Sequence, residues 1–505
     1  MMGRAQADSE EEAIPETSTE WLGERIRSEK KPREGIQWAR VGWSMLPWII
    51  TAPLGKSERT LPKANSTSYL NGLRGVACVI VYNYHVAILW NPPFKRDFGA
   101  VPFFNVVLAG HGATMVFFVL SGFVLSFSPL SKITSGQPDT TDSALLTSLW
   151  SSTIRRGIRL FTPLVALATL LFFITFFTSV YPPARDIPWA TVEPKTVGAF
   201  FAHMSSYAQM VALLMDPFTW STLQPATLEQ AWTLPFEYRG SLVIFLLCIA
   251  CSRLTPGFRK LLLLLFGLWA LHWIRWDVFC FTAGMGLAEL RFSPLMAPCP
   301  PEQLPRSTPG AEGGPVAFTA GRRRPWDRLV QSMSVRSIVA LVALVPAITI
   351  CAWPEGGAVL GVEPFATIHA IFTPAHYRGA DVDFLYASVG AFAVLASLEA
   401  LPQAQWLLST APFRYLGEIS FSFYLLHLLM INIFAAKALI YLSGSWGLSD
   451  WSAYVVMWLF TAAAVVLAAD LFWRGVDEVS VKLSRRVSDW LIARPRDTET
   501  AYHAL

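Results

Sequence analysis

One apolar run constrains this chain more than any other segment. From Leu70 to Trp90 the sequence reads LNGLRGVACVIVYNYHVAILW, close to the ~20 residues a helix needs to cross a bilayer. Arg74 and His85 sit inside it, eleven positions apart. At ~100° per residue they fall on one helix face, separated by ~16 Å along the axis. Cys78 and Val81 share that stripe. Ionisable residues inside a spanning helix are costly and usually face a polar cavity or pathway. An arginine near one membrane surface, aligned with a histidine deep inside, points to a site that admits an anion and then does proton chemistry. Each residue alone has a plainer account: Arg74 as a snorkelling boundary residue, His85 as a helix–helix hydrogen bond. Their shared face weakens both. Tyr82, one turn before His85, is a candidate to orient its ring.

The rest of the chain agrees with a membrane setting. Hydrophobic residues make up 53% and charged residues 15%, against ~25% charged in soluble domains. The 20 Trp and 34 Phe suit aromatic belts. The expected fold class is an all-α polytopic membrane protein with about ten transmembrane helices plus interfacial helices. The spans fall at 70–90, 112–130, 160–180, 232–252, 258–274, 276–291, 336–353, 383–401, 419–440 and 453–473. Segments 37–54 and 198–216 read as interfacial, the first for its Trp residues and Pro47, the second for His203, Ser205, Ser206, Tyr207 and Gln209. Cytosolic flanks are enriched in Lys and Arg. That rule puts both termini, Arg155, Arg156, Arg159, Arg253, Arg259, Lys260 and the Arg322–Arg324 cluster in the cytosol.

Domain organisation follows. Residues 1–65 form a polar cytosolic arm, expected to be disordered apart from the 37–54 helix. The transmembrane domain runs from 66 to 480, interrupted by a Pro/Gly/Arg-rich cytosolic loop at 292–335 that cannot bury a core. Residues 481–505 form a cytosolic tail. No secretory signal opens the chain. Of the six cysteines only Cys248 and Cys251 have C-x-x-C spacing, in a hydrophobic helix end with no second pair or nearby His; all six read as packing thiols, so no metal is expected. No internal repeat is evident, which argues against many transporter architectures.

Four further segments carry polar chemistry. In GHGATMVFFVLSGFVLS, Gly122 reads as a close helix contact. In RRGIRLFTP, Arg155 and Arg159 are four apart, and Arg156 and Arg159 three apart, so these pairs share a face. They are an ordinary positive-inside flank or a clamp for phosphate, whose oxygens guanidinium forks match bidentately. In LEQAWTLPFEYRG, Glu237 needs a partner within the membrane, and Arg74 or His85 are candidates. In GEISFSFYLLHLLM, Ser420, Tyr424 and His427 form one polar stripe, which is packing glue or part of a site.

In this order, the five segments resemble the acyltransferase 3 family of integral-membrane acyltransferases, over roughly residues 66 to 480. Arg74, ten residues and His85 look like the family's Arg/Lys–ten–His signature. FFVLSGF at 117–123, Arg156-x-x-Arg159 followed by Pro163, WTLPFE at 232–237 and ISFSFYLLH at 419–427 are similar to its other motifs. Thr233 stands where Ser is usual and Phe421 where Tyr is common. VDEVS at 476–480 lacks the proline of the family's terminal Glu-Arg/Lys-Pro.

The resemblance implies acyl transfer, often of acetyl, from an acyl-CoA co-substrate to a hydroxyl. No hydrolase-like domain is fused to the chain, so the expected acceptor is a small lipophilic metabolite such as a polyketide or terpenoid. A carbohydrate acceptor is the alternative within the class, and a proton-coupled membrane transporter the alternative outside it. His85 is the expected general base, with an unperturbed pKa of ~6.5 near working pH. Glu237 would set its tautomer, and Arg74 or Tyr424 would meet the oxyanion. Arg155, Arg156 and Arg159 would hold the donor's phosphates. The expected partners are the bilayer, acyl-CoA and the acceptor, with no nucleic acid. The expected location is an endomembrane or the plasma membrane.

Overall fold

The computed structural model describes residues 46–52, 61–90, 101–135, 138–177, 197–219, 228–292, 335–355 and 361–491. The arm at 1–45, almost all of the 292–335 loop and the tail beyond 491 lie outside the described residues, as does most of segment 37–54. Of that segment a single helical turn, Trp48–Thr51, is described. No strand occurs among the described residues.

The chain enters its first long helix, α1 (Ser68–Trp90), through a turn built on Asn65. The Asn65 side-chain oxygen accepts from the Thr67 amide and hydroxyl, both at 3.0 Å, and from the Ser68 hydroxyl at 3.1 Å. Such local bonds give the chain a fixed point from which the helix starts. There follow α2 (Gly110–Ser135), α3 (Pro138–Phe177), α4 (Val197–Leu214), α5 (Thr233–Cys251), α6 (Pro256–His272), α7 (Trp276–Arg291) and α8 (Val335–Cys351). Then come α9 (Ala380–Glu399), α10 (Ala411–Glu418), α11 (Ser420–Met430), α12 (Asp450–Phe472) and α13 (Glu478–Leu491).

All ten expected spans are helical, but not all have spanning length and apolarity. Seven helical stretches do: 110–134, 143–177, 197–214, 229–251, 380–399, 420–445 and 450–491. By length and composition the described residues thus hold seven candidate spans, and the expected count of about ten is not confirmed. Helices α6, α7 and α8 fall short in length, at 17, 16 and 17 residues. Helix α1 is long enough but carries Asn71, Arg74, Asn83 and His85, which lower its apolarity. The seventh, α4, lies where the sequence reading placed an interfacial helix. Two of its polar residues turn to α3: Thr175 Oγ1 is 3.0 Å from His203 Nε2 and 3.2 Å from the Tyr207 hydroxyl.

Helix α2 is the centre of the bundle, packed against α1, α5, α7 and α9. Its contact with α7 is a backbone contact. A Cβ on Gly122 would lie 2.1 Å from the Phe281 carbonyl oxygen, and one on Gly284 would lie 2.0 Å from that of Val119. Small residues on both sides allow this approach. The plain packing account of Gly122 is thus the structure's own. Helices α1 and α10 meet the same way: a Cβ on Gly417 would lie 2.1 Å from the Asn71 carbonyl oxygen. The second crossing fixes the start of α1 on α10, and α1, with Arg74 and His85, also packs against α2 and α11. Elsewhere large apolar side chains such as Leu264, Leu268 and Trp269 of α6 are exposed, as suits a lipid-facing surface.

Candidate active site

Seven helices (α1, α2, α3, α5, α10, α11 and α13) and the π-helical segment Trp473–Asp477 after α12 line a cavity of about 550 Å³. Its polar wall brings together residues far apart in sequence: Arg74 of α1, Ser121 of α2, Arg156 and Arg159 of α3, Glu237 of α5, and Ser420 and Tyr424 of α11. Asp477 follows α12, and Lys482 and Arg485 come from α13. Its apolar wall includes Phe117, Phe118, Leu125 and Leu234.

At its centre Glu237 forms an ion pair with Arg156. The Ser121 hydroxyl donates to both carboxylate oxygens, at 3.1 and 3.2 Å. Arg156 Nε donates to Ser241 Oγ at 2.9 Å, and that hydroxyl donates to the Glu237 main-chain carbonyl at 2.6 Å. The carboxylate and its partner are therefore locked together from three helices, as a charge pair away from bulk water must be. The partner is Arg156, where the sequence reading had Arg74 or His85 as candidates. Among the described residues Arg74 makes no hydrogen bond or ion pair, yet it is close enough to feel Glu237 and Asp477.

Arg155 lies off the cavity. Its Nε turns back to the Ser151 carbonyl at 3.2 Å. Of the two pairs that spacing allowed, the structure gives the cavity Arg156 and Arg159, because one face of α3 cannot present all three. Tyr424 lines the cavity, but its hydroxyl donates to the Gln230 carbonyl at 2.6 Å and stands 3.0 Å from Thr233 Oγ1. Its proton thus points into the wall and away from the position an oxyanion would take.

His85 does not line the cavity. It stands behind Tyr424, through His427: the Tyr424 and His427 rings are 5.7 Å apart, and those of His427 and His85 5.0 Å apart. His427 is fully buried. Its Nδ1 is 2.7 Å from the Tyr424 carbonyl. A carbonyl only accepts, so Nδ1 carries the proton and Nε2 keeps a bare lone pair. That Nε2 has no hydrogen-bond partner among the described residues. Tyr82 is turned elsewhere, its hydroxyl donating to the Trp458 carbonyl at 2.8 Å. The ring beside His85 is that of Tyr84, edge-on at 5.1 Å. Tyr84 in turn donates to Glu355 at 2.5 Å, and His111 Nδ1 is 3.0 Å from the same carboxylate. Cys78 donates its thiol hydrogen to the Ser420 carbonyl at 3.0 Å and is outside the cavity.

A family model described as an acyltransferase domain matches residues 67–474. The chain belongs to this acyltransferase family. The matched stretch contains all five motif segments, from Arg74 to His427. The chain is also similar to the O-acetyltransferase PaAT-1 of Phomopsis amygdali, at 26% identity over 488 residues, covering 89% of each chain. It is similar to Acyltransferase R4 of Phoma sp. (strain ATCC 20986 / MF5453), at 22% identity over 489 residues, covering 85% of this chain and 97% of that one. No solved structure matches it. Family membership and the apolar helices make this a multi-pass membrane acyltransferase.

Several residues of the site carry little signal in the sequence. Ser121, beside Gly122 in FFVLSGF, holds Glu237. Asp477 lies in the VDEVS stretch at the end of the expected transmembrane domain, and Lys482 and Arg485 in the segment expected to be tail; the signal for the latter is the strongly amphipathic pattern of EVSVKLSRRVSDWL. His427 was seen in the polar stripe without a role.

Proposed function

We propose that this protein is an O-acyltransferase that moves an acyl group, in the simplest case acetyl, from acyl-CoA to a hydroxyl of a small lipophilic metabolite. The observation that carries the reading is the convergence of Arg74, Arg159 and the Arg156–Glu237 pair on one cavity, with the His427–His85 pair behind its Tyr424 wall. The name of the Phomopsis amygdali relative favours acetyl as the group and oxygen as its destination.

The donor enters from the face that carries Arg159 and α13, which the basic flanks assign to the cytosol. Arg159 meets its phosphates; Arg156, shared with Glu237, shapes the electrostatics of the channel beyond. The thioester advances past the Arg74 level toward His85. The acceptor hydroxyl gives its proton to the imidazole of His85. Its oxygen bonds to the thioester carbonyl carbon, and the charge that develops sits on the former carbonyl oxygen at the His85 level; Arg74, ~16 Å away along α1, guides donor entry instead. The C–S bond then breaks, and the leaving thiolate takes the proton back from His85. The products are the ester and free coenzyme A, with atoms and charge balanced. The unpaired His427 Nε2 is suited to accept a hydrogen bond from the His85 ring, which fixes its tautomer. Glu237 holds Arg156 in place.

The test uses the full chain purified in detergent or nanodiscs. Acetyl-CoA is supplied with pools of lipophilic alcohols or with oligosaccharides, and release of free thiol is followed. Acceptor-dependent thiol release with lipophilic alcohols, and a matching ester by mass spectrometry, is the expected result. Thiol release with oligosaccharides only would replace the acceptor class. No transfer from any acyl-CoA to any hydroxyl would overturn the reading.

A further inference from the structure

Helix α13 has a feature that the family match does not cover. The match ends at residue 474, and α13 begins at Glu478. Yet Glu478, Val481, Lys482 and Arg485 all line the same cavity as Arg74 and Arg159. Positions 478, 481, 482 and 485 follow the 3–4 spacing of one helix face. The neighbouring face is a row of serines: Ser480, Ser484 and Ser488 are completely buried. Ser488 Oγ lies 2.7 Å from Ser151 Oγ of α3, while Ser480 and Ser484 bond back to the Asp477 and Val481 carbonyls at 2.7 and 2.8 Å. Small side chains let α13 lie flat along α3. That docking holds Lys482 and Arg485 at the cavity mouth.

Five cations line the cavity (Arg74, Arg156, Arg159, Lys482 and Arg485) against four carboxylates (Glu237, Glu418, Asp477 and Glu478), a small cationic excess. Arg159 is near enough to Arg156, Arg74 and Arg485 for like-charge repulsion, which Asp477 offsets in part. Arg156 is already committed to Glu237. Lys482 reaches Glu478 only at 3.9 Å, with most of its side chain exposed. Holding Arg74, Arg159 and Arg485 around one space costs energy unless an anion shares it. Coenzyme A carries a diphosphate and a ribose 3′-phosphate, a dense anion at the far end from the thioester, and Arg forks suit phosphate oxygens.

We propose that Lys482 and Arg485 of α13 form the outer half of a phosphate site for the nucleotide end of coenzyme A, with Arg159 as its inner half. This rests on the acyl-CoA reading above. The apolar stretch between Phe421 and Leu125 then takes the less polar pantetheine arm, and the thioester points inward past Arg74. The same cations would also suit the phosphate of an acidic lipid headgroup, and the test separates these two sources.

The full chain is placed in nanodiscs of phosphatidylcholine alone, so that no anionic lipid is present. Coenzyme A and 3′-dephospho-CoA are titrated by calorimetry. Lys482→Gln and Arg485→Gln should each weaken coenzyme A binding by about tenfold, the scale of one charge-assisted hydrogen bond. The double variant should lose most of the preference for coenzyme A over its 3′-dephospho form, and the KM for donor should rise more than kcat falls. Arg485→Lys should restore part of the affinity. Arg486→Gln, on the same helix but outside the cavity, should bind as wild type and report that α13 is still folded. If wild type binds coenzyme A and the double variant binds it equally well, the inference falls and the acyl-CoA reading stands. If wild type binds no coenzyme A, both fall. If the double variant keeps its coenzyme A affinity but loses stability specifically in phosphatidylserine nanodiscs, the cations serve headgroups and the inference is overturned.

Discussion

The imidazole of His427 stands 5.0 Å, centroid to centroid, from that of His85, with its Nδ1 facing a carbonyl and its Nε2 without a hydrogen-bond partner among the described residues. A buried lone pair of this kind costs free energy unless something donates to it. The proposed donor is the His85 ring. His85→Ala is expected to lower kcat at least ~100-fold, the scale of a lost general base, with yield and thermal midpoint retained. His427→Phe is expected to lower kcat by about tenfold with little change in donor KM. Wild-type turnover in the well-expressed His85 variant would remove that residue from the mechanism.

The Arg156–Glu237 pair makes a stability prediction separable from activity. Its side chains are 21% and 14% exposed, so removing one partner strands a charge in a place with little water. Arg156→Met alone should destabilise the protein by about 3 kcal/mol, read from denaturant unfolding in micelles. Changing both residues to Met should recover most of that loss, since a well-packed apolar pair often matches a buried ion pair. Neither variant should transfer acetyl at more than a trace. A single Arg156→Met chain as stable as wild type would show that the pair does not hold these helices.

Two glycines on one helix should behave oppositely. Gly284→Ala puts a Cβ 2.0 Å from the Val119 carbonyl oxygen, whereas Gly286→Ala meets nothing within 4 Å. The first should cost ~1–3 kcal/mol through forced separation of α2 and α7. The second should leave stability unchanged or slightly raised. Equal melting of the two variants would contradict the backbone-to-backbone contact.

Asn65-Ser66-Thr67 is the chain's only glycosylation sequon. Its asparagine starts α1 by accepting from Thr67 and Ser68. The proposed orientation puts it in the cytosol, away from glycosylation enzymes. Expression in a eukaryotic host should therefore give no glycosidase-sensitive mass shift. A shift that disappears in Asn65→Gln would invert α1 and with it the donor route.

The helical class and the ordered motifs were legible because apolar run length and the Arg74–His85 spacing are properties of single segments. Gly122 was read rightly for the same reason: small residues announce close contacts. Partner choice was not legible. Glu237 has Arg156 because α3 and α5 pack together, and nothing in WTLPFE says which arginine will face it. Nor does RRGIRLFTP say that Arg155 will turn back to Ser151. The span count is not confirmed at α6, α7 and α8, where hydrophobic content is high but the helices, at 17, 16 and 17 residues, lie at the lower edge of spanning length. Most of helix α13, from residue 481 on, reads as tail because its net polarity hides an ordered serine face.

The docking of α13 has a practical side for anyone trimming this gene. A polypeptide ended at residue 474, where the family pattern stops, would retain Arg74, His85, Arg156, Arg159, Glu237 and His427. It would insert with its signature whole, and by sequence it would look like a complete enzyme. It would also have lost the Asp477–Arg485 wall of the cavity, leaving the arginines of α3 facing open water. Such a shortened protein would register as a poor catalyst with intact motifs, a result easily mistaken for evidence that the motifs do nothing.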